Sequence, residues 1–165
     1  MSEIAIRDAL PADFSSIVAL NEAAVQHTSP MDADRLTTLG ALAWYFKVIT
    51  VDGTVSGFLL AMRERAGYAN PNYDFFAAQY PVFLYVDRIV IAPEHAGLKL
   101  GTRLYEALFD QARAQGVPVV TCEYNIEPPN EASRRFHDKF GFKEIGTQWL
   151  DGGRKKVSMQ SVEIG

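Results

Sequence analysis

A glycine-containing turn between an apolar strand and an amphipathic helix is the first place where the chain could bind a ligand. The turn extends from Pro93 to Thr102 and follows the strand residues Ile89-Val90-Ile91. N–H groups at a helix start lack acceptors and lie at the positive end of the helix dipole, and glycines let a phosphate approach the backbone. Neither G-x-x-x-x-G-K-[ST] nor G-x-G-x-x-G occurs, which disfavours a nucleoside triphosphatase and a dinucleotide-binding fold. The turn therefore predicts another phosphate-bearing ligand, unless it is only a tight connection.

Two carboxylates lie inside otherwise apolar strands and are candidate general bases. Asp87 interrupts the run 82–91, and Glu123 lies in the run Val117–Tyr124. An unpaired buried charge is costly, so a raised pKa is plausible and either carboxylate could take a proton, directly or through water. The alternative for Asp87 is a structural pair with a cation or a backbone group. Strand alternation places its neighbour Arg88 on the opposite face.

Residues 63–80 mix turn residues with aromatic side chains and are predicted to form a long loop. Such a loop inside a compact domain is usually functional or disordered, and its aromatic content argues against disorder. Tyr73 and Phe75 of this segment, with Tyr85 of the next strand, are candidates for the wall of a substrate pocket. The alternative is that these rings only cover the sheet.

Hydrophobic periodicity and turn residues predict the elements that hold these groups. The predicted helices are 13 to about 27, 32–46, 98–115 ended by Gly116, and one capped by Asn130 that ends before Gly141. The predicted strands are 4–7, 47–51, 55–62, 82–91, 117–124, 142–149 and 156–164, with a hairpin turn at Asp52-Gly53. A strand, a helix and a strand in succession imply a parallel, right-handed crossover. The order predicts a mixed α/β fold.

Composition and charge narrow the function classes. The 165 residues predict a single domain over 1–165, and the net charge of −4 gives no general attraction to nucleic acid or to an anionic membrane surface. The single cysteine, Cys122, excludes an internal disulfide framework, and His27 and His95 lack metal-ligand spacing, so no metal is expected. We expect a cytoplasmic protein, because the chain shows no signal peptide and no apolar run of membrane-spanning length.

Two segments resemble the acetyl-coenzyme A site of the GCN5-related N-acetyltransferases (GNAT). The first extends from Arg88 to Thr102 and is similar to the family's "V-x-P" strand end followed by "[QR]-x-x-G-x-[GA]". The second, Asn130-Glu131-Ala132-Ser133-Arg134-Arg135-Phe136-His137-Asp138-Lys139-Phe140-Gly141-Phe142, resembles "N-x-x-[AS]-x-x-[FL]-Y-x-x-x-G-F". The resemblance implies the GNAT acyl-CoA acyltransferase fold, an α/β (α+β) fold with a mixed central sheet of about seven strands and about four flanking helices.

The chain departs from the family pattern at three positions. Ala96 stands where glutamine or arginine is usual, and Lys99 stands where the first glycine is usual. Lys99 could meet the pyrophosphate as a point charge or could be a solvated lysine at the helix start. His137 replaces a tyrosine that commonly protonates the departing thiolate, and is the candidate acid. The alternative for His137 is packing beside Phe136 and Phe140.

The resemblance further implies transfer of the acetyl group from acetyl-CoA to a primary amine by direct attack, with both ligands bound. A main-chain N–H near the strand end would stabilise the oxyanion. The implied cofactor contacts are Ile89, Val90, Ile91, Gly97, Leu98, Lys99, Leu100, Gly101, Thr102, Asn125, Asn130, Ser133 and Phe136. The acceptor is expected to be a small molecule, and a homodimer is common in such a family. The different-class alternative is a non-catalytic acyl-CoA binding or sensor module on the same fold.

Overall fold

Seven strands form one mixed sheet in the computed structural model, which describes residues 2–25 and 28–164, with Ala96 described by its backbone alone. The strands are β1 (Ile4–Asp8), β2 (Tyr45–Val51), β3 (Thr54–Arg63), β4 (Leu84–Ile91), β5 (Val119–Glu127), β6 (Lys143–Leu150) and β7 (Lys155–Glu163). Hydrogen bonds order them β1-β2-β3-β4-β5-β7-β6. The sheet therefore confirms the predicted mixed α/β class and the number of strands.

Five α-helices lie in the described part of the chain, one more than the sequence predicts. They are α1 (Phe14–Ala23), α2 (Ala33–Leu42), α3 (Pro71–Gln79), α4 (Leu100–Ala114) and α5 (Glu131–Asp138). None of them is long and apolar enough to cross a membrane. The first two end earlier than predicted, since α1 stops at Ala23 and Phe46 belongs to β2; His27, the predicted end of the first helix, lies outside the described residues.

The additional helix, α3, corrects the prediction of a long loop over 63–80. The side-chain oxygen of Asn70 accepts hydrogen bonds from the backbone N–H groups of Asn72 and Tyr73, and Pro71 occupies the first helical turn. Asparagine at the cap and proline just inside it are typical helix starts. Tyr73 and Phe76, three residues apart, form the buried side of the helix. The turn residues of this segment therefore begin a helix, and its aromatic residues cover the sheet.

The chain divides into two compact units, and the first contains residues 2–25, 28–62 and 86–111. Here β1 pairs with β2 and β2 with β3, both antiparallel. The hairpin turn has both central residues in the left-handed region, Asp52 at φ 50° and Gly53 at φ 83°, which confirms the predicted turn. Gly57 on β3 lets β4 approach closely, because a Cβ atom there would lie 2.9 Å from the carbonyl oxygen of Val90.

The second unit contains residues 63–85 and 112–164. The start of β4 pairs in parallel with β5 through Leu84 and Tyr85, as the predicted crossover requires. On the other side of β5, β7 and then β6 continue the sheet in antiparallel pairs. Gly116 has φ 72° at the end of α4, which confirms the predicted helix stop. This unit presents the end of β5 and the start of α5.

Candidate active site

The turn between β4 and α4 is built from an irregular backbone that Lys99 closes in the left-handed conformation. A 3₁₀ helix at Pro93–Leu98 follows β4, and Lys99 then has φ 55° and ψ 40°. The backbone N–H of Arg103 donates to the carbonyl of Lys99 at 3.1 Å, which marks the first turn of α4. By helix geometry, the preceding N–H groups, at residues 100–102, have no acceptor inside the helix. The turn can therefore offer main-chain donors to an anion.

The left-handed backbone explains why a glycine is usual at the position of Lys99. A non-glycine residue reaches this region only at a cost of about 1–2 kcal/mol, whereas glycine adopts it freely. The backbone path of the motif is thus kept although the residue type differs, and the Lys99 side chain is exposed. Leu100, 1% exposed, anchors the start of α4 in the core. Apart from its two chain neighbours, nothing in the described part of the chain lies within 4 Å of a Cβ atom built on Gly97, so the turn is open there.

Asp87 is held in a buried ion pair with its chain neighbour Arg88. Nε of Arg88 lies 2.7 Å from Oδ2 of Asp87, and the two side chains are 4% and 3% exposed. Strand alternation predicts that Asp87 and Arg88 lie on opposite faces of the sheet. This prediction is wrong for their charged ends, which meet. Burying either charge alone is costly, which favours pairing. The guanidinium also donates to Oδ1 of Asn21 and to the carbonyl and hydroxyl oxygens of Ser29, each at 3.0 Å.

Glu123, the second carboxylate, lies on β5 and accepts a hydrogen bond from the hydroxyl of Tyr85. Tyr85 is 1% exposed, and its ring lies 5.7 Å from that of Tyr73 and 5.8 Å from that of Phe76. A neutral hydroxyl thus contacts Glu123, whereas a guanidinium contacts Asp87. The structure thus brings together one predicted base and one predicted substrate residue.

The other two predicted substrate residues have contacts typical of a core. The hydroxyl of Tyr73 donates to the carbonyl of Arg63 at 2.5 Å and accepts from the N–H of Ala66 at 3.0 Å. Phe75 lies over Gly146 of β6, where a Cβ atom would be 2.7 Å from its Cζ atom. These contacts correspond to the alternative that the rings cover the sheet.

Two asparagines lie at the end of β5 and the start of α5. The side-chain oxygen of Asn130 accepts from the N–H of Ser133 at 3.2 Å and caps α5, as the sequence predicts. The backbone N–H of Asn130 donates to the carbonyl of Asn125 at 2.9 Å. The Asn125 residue is 5% exposed, and its side-chain nitrogen has no hydrogen-bond partner among the described residues. An unsatisfied buried amide is unusual and points to a partner outside the chain.

His137 lies on α5, buried to 4% exposure among the rings of Tyr124, Phe136 and Phe142. Its Nδ1 atom is 2.8 Å from the carbonyl oxygen of Ser133, so the Nδ1–H tautomer donates to that oxygen. Burial lowers the pKa of His137 below its usual value, although the hydrogen bond to Ser133 and the charge of Asp138 oppose the shift. The side chain is therefore predominantly neutral at pH 7.

The sequence did not predict the cluster that Asn21, Ser29 and Asp87 form around Arg88. Asn21 is fully buried and donates to the carbonyl of Ser29 at 3.0 Å, so both it and Arg88 hold Ser29. The available signal was an adjacent pair of opposite charges inside an apolar strand, which alternation alone assigns to two faces. The cluster ties the segment before α2 to β4 next to Ile89, the first of the predicted cofactor contacts on that strand.

Comparison with known proteins identifies the fold and the family. The model of the acetyltransferase (GNAT) family matches residues 8–142 of the chain. A putative acetyltransferase from Salmonella typhimurium, solved with acetyl-CoA, superimposes with a TM-score of 0.71 at 24% identity, over 98% of this chain and 94% of that one. The seven-stranded sheet and its flanking helices are thus those of the GNAT fold.

Sequence relatives include two acetyltransferases. An L-methionine sulfoximine/L-methionine sulfone acetyltransferase of Salmonella typhimurium is 31% identical over 160 residues, 88% of this chain and 89% of that protein. A phosphinothricin N-acetyltransferase of Streptomyces coelicolor is 39% identical over 67 residues, 41% of this chain and only 37% of that protein. With the family match over most of its length, the chain belongs to the acetyltransferase (GNAT) family and is an acyltransferase.

Proposed function

We propose that the protein transfers the acetyl group of acetyl-CoA to the primary amine of a small, amino-acid-like acceptor, with both ligands bound at once. The observation that carries the proposal is the turn at Lys99, whose left-handed backbone leads into the first N–H groups of α4. The names of the relatives support the acceptor class, since they act on L-methionine sulfoximine, L-methionine sulfone and phosphinothricin. The cytoplasmic location and the homodimer stay predictions.

The residues of the turn fit a cofactor that carries phosphates. Main-chain N–H groups of residues 100–102 would hold the pyrophosphate of acetyl-CoA, with residues 97–99 beside it, because helix N-termini bind phosphate through oriented donors. Asn130 and Ser133 at the start of α5, with Phe136, are proposed to bind other parts of it. When bound, acetyl-CoA supplies a thioester carbonyl that an amine can attack. A main-chain N–H of Ile89, Val90 or Ile91 is proposed to stabilise the oxyanion.

Glu123 is the proposed general base. Only a free amine is nucleophilic, so the ammonium proton must pass to an acceptor. Glu123 has a neutral hydroxyl, that of Tyr85, as its hydrogen-bond partner. The carboxylate of Asp87, the other predicted base, is already engaged in a buried ion pair with the Arg88 guanidinium. The same contact gives Asp87 the structural role of keeping Arg88 paired.

His137 is proposed to protonate the departing thiolate. Its Nδ1–H is held by the Ser133 carbonyl, so the proton would come from Nε2 of the imidazolium. Because burial lowers the pKa of His137, the imidazolium is the minor form at pH 7, and its fraction rises as the pH falls. The His137→Phe variant should therefore lose turnover by roughly 10²–10⁴-fold. Unchanged turnover would assign His137 to packing alone.

An acetylation assay with a panel of amines tests the proposed function. We expect release of CoA with α-amino acids or their analogues and formation of the N-acetyl product, detected by mass spectrometry. Binding of acetyl-CoA without turnover of any amine would instead support the non-catalytic acyl-CoA module. Lack of both binding and turnover would contradict the proposal.

A further inference from the structure

The side chains of Glu123 and Asn125 lie on the same face of β5. Residues two apart on a strand point to one side, and the register with β7 is regular from Val119 to Asn125. Tyr124, between them, points to the other side, where its ring lies 5.7 Å from that of His137. The proposed base and the unpaired amide are therefore neighbours, about 7 Å apart along the strand.

The Asn125 side chain is unlike the other buried asparagines of the described residues. Asn21 donates to Ser29, and the Asn72 oxygen accepts from Gln148 at 3.0 Å, whereas the Asn125 side-chain nitrogen meets no acceptor within residues 2–25 and 28–164. A buried donor without a partner destabilises a fold, so its presence needs a reason other than stability. A ligand group that accepts a hydrogen bond supplies such a reason.

We infer that Asn125 binds an oxygen of the acceptor next to its reacting amine, and so makes the enzyme select α-amino acids over simple alkylamines. The inference rests on the proposed function and changes the role of Asn125 from a cofactor contact to an acceptor contact. An amine beside Glu123 and a neighbouring carboxylate oxygen beside Asn125, each with a hydrogen bond of about 2.9 Å, bridge the span between the two side chains. An alkylamine has no group to pair with the amide.

The charges agree with this orientation. The ammonium group of an amino acid is attracted by the Glu123 carboxylate, and the proton that it loses passes to that carboxylate. The substrate carboxylate would be repelled by a second acid but accepts readily from a neutral amide N–H. The Glu123 carboxylate and the neutral Asn125 amide together thus fix the orientation of the acceptor, with its amine towards the base.

Paired acceptors test the inference. The wild type and Asn125→Ala are compared with L-methionine against 3-(methylthio)propylamine, and with L-phenylalanine against phenethylamine. We expect the ratio of kcat/KM for the amino acid to that for the amine to fall about tenfold in the variant, the worth of one neutral hydrogen bond. The Kd for acetyl-CoA, measured by calorimetry, should not change.

Thermal unfolding separates ligand binding from a structural role. Because Asn125→Ala removes an unsatisfied donor, its Tm should equal or exceed that of the wild type. The matched control Asn72→Ala removes an amide that has a hydrogen-bond partner, so its Tm should fall by about 2–4 °C. Its ratio of kcat/KM for the amino acid to that for the amine, the acceptor ratio, should stay unchanged.

Three outcomes would overturn the inference. An unchanged acceptor ratio with a weaker Kd for acetyl-CoA would return Asn125 to the cofactor site and leave the proposed function intact. An unchanged ratio with a lower Tm would make Asn125 structural. Absence of turnover with every amine, in the wild type as well, would contradict the proposed function and the inference together.

Discussion

The β4–α4 turn and the end of β5 represent two ways of building the proposed binding site. In the turn the proposed binding groups are main-chain N–H donors, and the side chains mainly set the backbone path. At the end of β5 the proposed binding groups are the side chains of Glu123 and Asn125. A main-chain site tolerates substitution, so the turn keeps its conformation with Lys99 in place of a glycine. A side-chain site changes its chemistry with every substitution.

The largest expected effect comes from removing the base. Glu123→Gln keeps the size of the side chain and a possible contact with the Tyr85 hydroxyl, but an amide cannot take the ammonium proton. We expect kcat to fall by roughly 10²–10⁴-fold while the Kd for acetyl-CoA is unchanged, measured by steady-state kinetics and calorimetry. The control Glu127→Gln, exposed at the end of the same strand, should retain full activity.

A different result would assign the role of general base to Asp87 instead of Glu123. If Glu123→Gln is fully active and Asp87→Asn is folded but inactive, Asp87 is the base despite its contact with Arg88. If Glu123 is the general base, the effect of Asp87→Asn is on stability, because Arg88 then stays buried without its charged partner. The free energy of unfolding, measured in urea, should then fall by about 3–5 kcal/mol.

A negative charge in the turn should abolish cofactor binding. Gly101→Glu places a carboxylate and a bulky side chain beside the main-chain donors, so the affinity for acetyl-CoA should fall at least about 100-fold, or ~2.7 kcal/mol. Calorimetric titration measures the loss, and circular dichroism checks that the fold is intact. Gln111→Glu adds the same charge to an exposed position of α4 and should bind normally. Unchanged affinity of Gly101→Glu would remove the turn from the site.

The pH dependence of stability tests the state of His137. Its folded pKa is lowered by burial, so between that value and the unfolded value of about 6.5 the unfolded chain binds more protons. The contribution of the neutral His137 side chain to the free energy of unfolding is complete above about pH 6.5. It is lost as the pH falls through the folded pKa of His137. Urea unfolding from pH 7.5 to 5.0 should show a smaller loss in His137→Phe than in the wild type. Equal losses would mean that the pKa of His137 is the same in the folded and the unfolded chain.

The smallest expected effect is at Lys99. Glycine adopts the left-handed backbone without the strain of about 1–2 kcal/mol, but it loses about 0.5–1 kcal/mol more conformational entropy on folding. Lys99→Gly should therefore stabilise the fold slightly, by about 1 kcal/mol or less. If the main chain holds the pyrophosphate, the Kd for acetyl-CoA should change less than about threefold. A tenfold weaker Kd would show that the lysine ammonium itself contacts a phosphate.

The sequence predicted well those elements that one strong local signal marks. Asp52-Gly53 predicted the hairpin and Gly116 the end of α4, because few residue types other than glycine adopt a left-handed backbone readily. Asn130 predicted the cap of α5, because its short side chain can accept a hydrogen bond from a helix N–H. The helix α3 was missed because Asn70-Pro71 also marks turns and loops, and the packing of Tyr73 and Phe76 decides for the helix.

The site was predictable as a set of residues but not as a set of contacts. Asp87 and Glu123 look alike in sequence, and only the fold gives one a guanidinium partner and the other a tyrosine hydroxyl. His137 and Asn125 show the same limit. Whether a polar side chain is satisfied depends on neighbours far along the chain, and spacing carries no information about them.

Calorimetric titration with acetyl-CoA, beside CoA and ATP, is the decisive experiment for the turn at Lys99. We expect selective micromolar binding of acetyl-CoA and CoA, because this turn offers main-chain donors to a pyrophosphate. ATP should bind much more weakly, since it lacks the pantetheine arm. Absence of binding, or equal binding of all three ligands, would contradict the claim that this turn is an acyl-CoA site.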